Sequence, residues 1–241
     1  MDLRFVTTQT RYLLQVVSNT NSSIDLTGPE SAATGIFLIM DIFGFFSQTI
    51  QGADILANAS DDTHKYRVFM PDMWDSEPAG ISWYPPVTDE QKKKMGDWWG
   101  RKGDFTKGIE KVNKLLQSLK KSNPQITKWV CVGYCWGGKV SALTSGEGTQ
   151  WAASVECHPA AVGADDAKAI KIPHALLASK DEDAKEVKKF ESNLTGPHYV
   201  ETFDSQIHGW MAARSDLDDP IVLKEYERGY KTVLDFLAKH L

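Results

Sequence analysis

The stretch "VCVGYCWGGKV", residues 130–140, decides the fold. A β-branched run ends in glycine, a cysteine stands inside the turn, and small residues with a lysine follow. That is the order strand, tight turn, helix. Two chemistries use it. A phosphate cradle needs glycine N–H groups around the phosphates, then a lysine, then a Ser or Thr hydroxyl for magnesium. Gly133, Gly138 and Lys139 fit, but Val140 stands at the hydroxyl position, and Tyr134, Cys135 and Trp136 are too bulky for a loop that must approach phosphate. A nucleophile elbow needs glycine two residues before and two after the nucleophile, on a strained turn at the top of a sheet. Gly133-Tyr134-Cys135-Trp136-Gly137 has that pattern. The helix that follows favours a thiolate at its N-terminus. A buried structural cysteine is the competing reading, and it is the default for Cys131, inside the strand.

Outward from this turn, short apolar runs alternate with helical patterns. Residues 35–44, 66–72, 127–133, 152–157, 173–179 and 199–203 read as strands. Residues 48–60, 105–121 and 185–194 read as helices, the second with Ile109, Val112, Leu115, Leu116 and Leu119 on one face. Asp219-Pro220 is an N-cap followed by proline at the first helical position, and it opens a last helix. Strands that are apolar throughout are buried on both faces, and strands alternating with helices form βαβ crossovers. The expected fold is therefore a three-layer α/β/α sandwich with a mainly parallel sheet, in one unit over residues 1–241. The first 30 residues match none of this pattern, and "NTNSSIDLTGPESAA" reads as turn or loop.

Composition narrows the function. The 241 residues carry a net charge of −5, with no basic stripe of the kind nucleic acid requires. No apolar run approaches the length of about 20 residues that spans a membrane. Residues 1–17 lack the apolar core of a signal peptide, so the cytoplasm is the default location. Three cysteines do not make a disulfide framework. No cofactor or metal is expected, and the chain is a monomer or homodimer.

In an open α/β sheet, ligands bind beyond the carboxyl ends of the strands. An elbow fold orders its residues nucleophile, acid, histidine. His64 precedes the nucleophile, His240 ends the chain, and His174 and His198 open strands. His158, in "ECHPA", follows a strand and could face the site, though a loop histidine is the simpler reading. His208, in "DSQIHGW", follows a strand in a loop freed by Gly209 and is the candidate base. The acid comes from "LLASKDEDA": Asp181 follows the strand directly and is preferred, with a solvated loop charge as its bland alternative, and Asp183 is the helix N-cap. The expected catalytic set is Cys135, Asp181 and His208.

With "MDIFGF" (40–45), "GADILA" (52–57), "GYCWGGK" (133–139), "SKDED" (179–183) and "HGW" (208–210) in this order, the chain resembles the dienelactone hydrolase family of α/β-hydrolases. The resemblance implies hydrolysis of a small lactone or ester through a cysteine nucleophile and a thioester. It implies an oxyanion hole from the N–H groups of Ile42 and Trp136. It places Asp41, Glu in bacterial members, near the resting thiol and the substrate. It implies an arginine for the substrate carboxylate, for which Arg214 and Arg101 are the candidates. The contrasting reading is a non-catalytic or redox-sensing binding protein on the same fold, since an exposed thiolate is oxidisable.

Overall fold

A computed structural model of the chain describes residues 12–16, 23–58 and 65–241. Residues 1–11, which belong to the signal-peptide reading, lie outside it, as do His64 and the last two residues of the helix expected at 48–60. The strands are β1 (Tyr12–Val16), β2 (Ser23–Thr27), β3 (Thr34–Ile39), β4 (Tyr66–Pro71), β5 (Lys128–Tyr134), β6 (Ala153–Cys157), β7 (His174–Ser179) and β8 (His198–Phe203). The helices are α1 (Ser47–Asn58), α2 (Asp89–Lys102), α3 (Phe105–Ser122), α4 (Trp136–Leu143), α5 (Asp166–Ala169), α6 (Ala184–Asn193) and α7 (Pro220–His240).

All eight strands form one sheet, in the order β1-β2-β4-β3-β5-β6-β7-β8. From β4 to β8 every neighbouring pair is parallel, and only the β1–β2 and β2–β4 pairs are antiparallel. Burial explains the parallel part. Every residue of β4, β6 and β7 is buried, and β3 and β5 are buried beyond their first residue. Such strands need helices on both faces. The packed pair α1 and α7 contrasts with the series α3, α4, α5 and α6, in which each helix touches the next. The mainly parallel α/β architecture read from the sequence is the observed one.

Residues 12–16 and 23–27 are strands, where the sequence suggested no regular element. Part of the stretch read as loop is β2, whose alternating exposure against β4 is that of a strand with one buried face. Helix α2 was also absent from the sequence reading, because Trp98 is its one buried residue. Its signal was a capping box, in which Thr88 and Gln91 satisfy each other's main-chain N–H groups. The cap read at Asp219 is in place: its carboxylate accepts the N–H groups of Ile221 and Val222. No helix among the described residues is long and apolar enough to cross a membrane.

Candidate active site

Central strand β5 delivers Cys135 to the top of the sheet. Cys135 has φ 54° and ψ −113°, a left-handed conformation that costs an L-residue energy and persists only where its surroundings enforce it. Three main-chain bonds do so. The Cys135 N–H donates to the Cys157 carbonyl at 3.0 Å, and the Cys135 carbonyl accepts from Lys139 at 3.2 Å and from Ala160 at 2.9 Å. Both bracketing glycines are sterically required. A Cβ on Gly133 would lie 2.0 Å from the Gly137 carbonyl oxygen, and one on Gly137 would lie 2.3 Å from that of Ile39. This crowding draws the start of α4 against the end of β3.

The three thiols differ in setting. Cys131 and Cys157 are fully enclosed, whereas Cys135 retains 7% exposure. Burial pushes the Cys131 thiol up to about 12. Burial, with the Glu156 carboxylate beside it, pushes Cys157 up as well.

His208 lies in the loop after β8. Its Nδ1 is 2.6 Å from Oε1 of Glu182, a side chain 4% exposed. The expectation that Asp181 holds the ring is corrected by this geometry. Oδ2 of Asp181 instead accepts the main-chain N–H of His208 at 2.8 Å. Asp183 accepts the N–H groups of Lys185 and Glu186 and caps α6, as expected. The turn after β7 explains the exchange. The Ser179 hydroxyl accepts the Asp181 N–H at 3.2 Å, and the Ser179 N–H donates to Oε2 of Glu182. The turn thereby folds the Glu182 side chain back over the end of β7, and Oε1 is left for the ring. Burial opposes a charged imidazole at His208. The Cys135 sulfur and then the Glu182 carboxylate outweigh it, and push His208 up to about 11. The ring thus lies between the Cys135 sulfur and the Glu182 carboxylate.

The two expected oxyanion donors come from adjacent parallel strands. Trp136 opens α4, where a helix leaves its first N–H groups without an intrahelical acceptor. The Ile42 N–H, in the turn after β3, has no acceptor among the described residues, while the Ile42 carbonyl accepts from Ala79 at 2.8 Å. The Trp136 indole donates to the Gly103 carbonyl at 2.9 Å and packs against Trp74 and Phe105. Trp74 and Trp98 are therefore buried packing. Arg214 donates to the His208 carbonyl at 2.5 Å, and its guanidinium lies 4.6 Å from the Tyr84 ring centre. Arg101 is exposed on α2 and donates to the Asp97 carbonyl of its own helix. Asp41 is 1% exposed, and its two oxygens accept the main-chain N–H groups of Phe43 and Ala213.

Residues 25–241 match the sequence pattern of the dienelactone hydrolase family. The chain belongs to that family. An uncharacterized AIM2 family protein of Schizosaccharomyces pombe is 34% identical over 219 residues, covering 88% of this chain and 85% of that one. A human carboxymethylenebutenolidase homolog is 21% identical over 226 residues, covering 88% of this chain and 85% of its own. The crystal structure of a dienelactone hydrolase from Anabaena variabilis superimposes with a TM-score of 0.66 at 14% identity, covering 96% of this chain and 98% of that one. Membership of the dienelactone hydrolase family supports a hydrolase of esters or lactones acting on a small molecule.

In this dienelactone hydrolase family member, sequence reasoning missed one neighbour of His208 and left a second open. Glu182 was passed over because it stands between two aspartates of obvious use. His158, which follows β6 in a loop and could face the site from there, is fully buried at φ 38°. Its ring stacks on Tyr134 at 5.8 Å and meets the His208 ring edge-on at 5.2 Å. Neither ring nitrogen has a hydrogen-bond partner among the described residues. Burial, then the charges of His208 and Arg214, hold His158 well below the usual histidine range.

Proposed function

We propose that the chain hydrolyses a small lactone or ester through Cys135 and a thioester intermediate. The observation that carries this reading is the left-handed Cys135 backbone, enforced between two required glycines, beside an imidazole whose other nitrogen is on a buried carboxylate. Cys135 Sγ attacks the carbonyl carbon. The tetrahedral oxyanion takes the N–H groups of Ile42 and Trp136. The C–O bond breaks, and the alkoxide or enolate leaves with the proton from His208. His208 then removes a proton from water, the hydroxide attacks the thioester, and the C–S bond breaks to return the thiolate. Glu182 orients the ring and stabilises its cation, the part first assigned to Asp181. Asp181 holds the main chain that carries the ring. Arg214, beside the loop, is preferred to Arg101 as the cation for a substrate carboxylate. The cytoplasm remains the proposed location, and monomer or homodimer the proposed state.

The test is brief labelling with iodoacetamide, followed by peptide mapping and assays on activated aryl esters and enol lactones. Cys135 is expected to react before Cys131 and Cys157, whose thiols burial holds up. Activity should fall in step with Cys135 modification. Activity that survives complete modification of Cys135 would leave the binding or redox-sensing reading in its place.

A further inference from the structure

We propose that Asp41 is a positioning residue, a carboxylate strut that ties the loop of the oxyanion donor Ile42 to the segment that follows His208. This deepens the function proposed above and rests on it. The assignment differs from a substrate contact and from a partner of the resting thiol.

The geometry carries the claim. Asp41 ends the run from β3, and its Oδ1 accepts the Phe43 N–H at 2.8 Å. Phe43 is the residue after Ile42, so this bond fixes the peptide that follows the oxyanion donor. Oδ2 accepts the Ala213 N–H at 3.2 Å, across 172 residues of sequence. Ala213 is in the segment running on from His208, and the carbonyl of Met211 there is held by the Tyr230 hydroxyl at 2.8 Å. The Asp41 carbonyl accepts the Trp74 indole N–H at 2.8 Å, which anchors the strut to the packed aromatic cluster. Each carboxylate oxygen is thus committed to a main-chain donor in a different half of the site. Nothing but a carboxylate accepts on both sides. An amide at this position would set its NH₂ against one of the two N–H groups and lose that bond.

The strut is also titratable. The groups facing it are His208 on its loop and Tyr134 on β5. Burial raises the carboxyl to about 6, against the opposing pull of the Phe43 and Ala213 N–H groups and the His208 charge. Below that pH a proton occupies one oxygen, and one of the two ties weakens.

The deciding experiment is amide hydrogen exchange on full-length wild type and Asp41→Asn from pH 5 to 7.5, normalised to intrinsic rates. Peptides covering 42–46 and 208–215 are expected to exchange about tenfold faster in the variant at pH 7.5, the size of effect that loss of one charge-assisted bond produces. Wild type should rise in both peptides with one shared midpoint near 6. With p-nitrophenyl acetate, kcat of the variant should fall about tenfold to a hundredfold with KM within about threefold, because the donor is misplaced rather than the substrate lost. Alkylation of Cys135 by iodoacetamide should stay within about threefold. A change in neither peptide, or in only one, overturns the strut. A matching loss in alkylation also overturns it and gives Asp41 to the thiol. If Asp41→Asn does not fold, the wild-type exchange profile alone decides, through the presence or absence of the shared midpoint. If wild type hydrolyses no ester at all, the proposed function fails, and the exchange profile still judges the strut.

Discussion

The turn at Cys135 and the turn after β7 both place a candidate site residue at the carboxyl end of a strand, and they are held by different means. At Cys135 the constraint is backbone against backbone. Carbonyl oxygens of Gly137 and Ile39 stand where any Cβ on Gly133 or Gly137 would go. After β7 the constraint is a set of side-chain hydrogen bonds among Ser179, Asp181 and Glu182. The first kind leaves one answer and prints it in the sequence as glycine. The second kind lets three consecutive carboxylates exchange roles without changing composition.

That contrast breaks most plainly at the elbow. Gly137→Ala should destabilise the chain by more than about 3 kcal/mol, because the Ile39 carbonyl cannot move without moving β3. A urea midpoint unchanged from wild type would show that the crowding relaxes. At the other turn the effect is on rate. Glu182→Gln should lower kcat/KM for p-nitrophenyl acetate by about 10²- to 10⁴-fold, the range found when a base loses its orienting carboxylate. Asp181→Asn should cost less than about tenfold, since it holds main chain and not the ring. The reverse order would make Asp181 the working partner and Glu182 a buttress.

A third turn, after β3, sharpens the comparison, because there a carboxylate is held on main-chain N–H groups. Asp41 sits at about 6 in the folded chain against 3.8 in an ordinary aspartate, so the folded state binds that proton more tightly than the unfolded one. The group's contribution to stability is therefore full below its unfolded value, declines as pH rises through this window, and is constant above it. Relative to Asp41→Asn, wild type should lose up to about 3 kcal/mol in urea denaturation between pH 4 and pH 7. A flat difference would place the carboxyl at its ordinary value. The smallest effect belongs to Asp183. Asp183→Ala should cost about 1 kcal/mol through the lost cap of α6, with kcat/KM unchanged.

The same two kinds of constraint explain what was legible. Strands β3 to β7 could be read because burial on both faces leaves mostly apolar runs, and α3 because its apolar residues share one face. Helix α2 could not, since "DEQKKKMGDWWGRK" is polar nearly all round and is held by its cap and Trp98. Strand β2 could not, because five residues with one buried face carry too short an alternation to separate from loop. The strained turn at Cys135 was legible from its bracketing glycines, and the place of His208 in the loop after β8 from the order of strand and glycine. The burial of His158 was not, because its neighbours Tyr134 and His208 stand 24 and 50 residues away in sequence.

By itself the sequence determined the parallel α/β sheet, the glycine-bracketed turn at Cys135 and the loop that carries His208. Each of these follows from local sterics or from the burial of whole segments, and both leave a pattern in residue type. Only the tertiary structure decided that Glu182 meets the ring, that Asp181 holds main chain, and that Asp41 joins two loops. Aspartate and glutamate differ by one methylene and carry the same charge. Which of them reaches a given nitrogen depends on ångström-scale turn geometry and on partners as far as 172 residues away, and no local pattern encodes that distance.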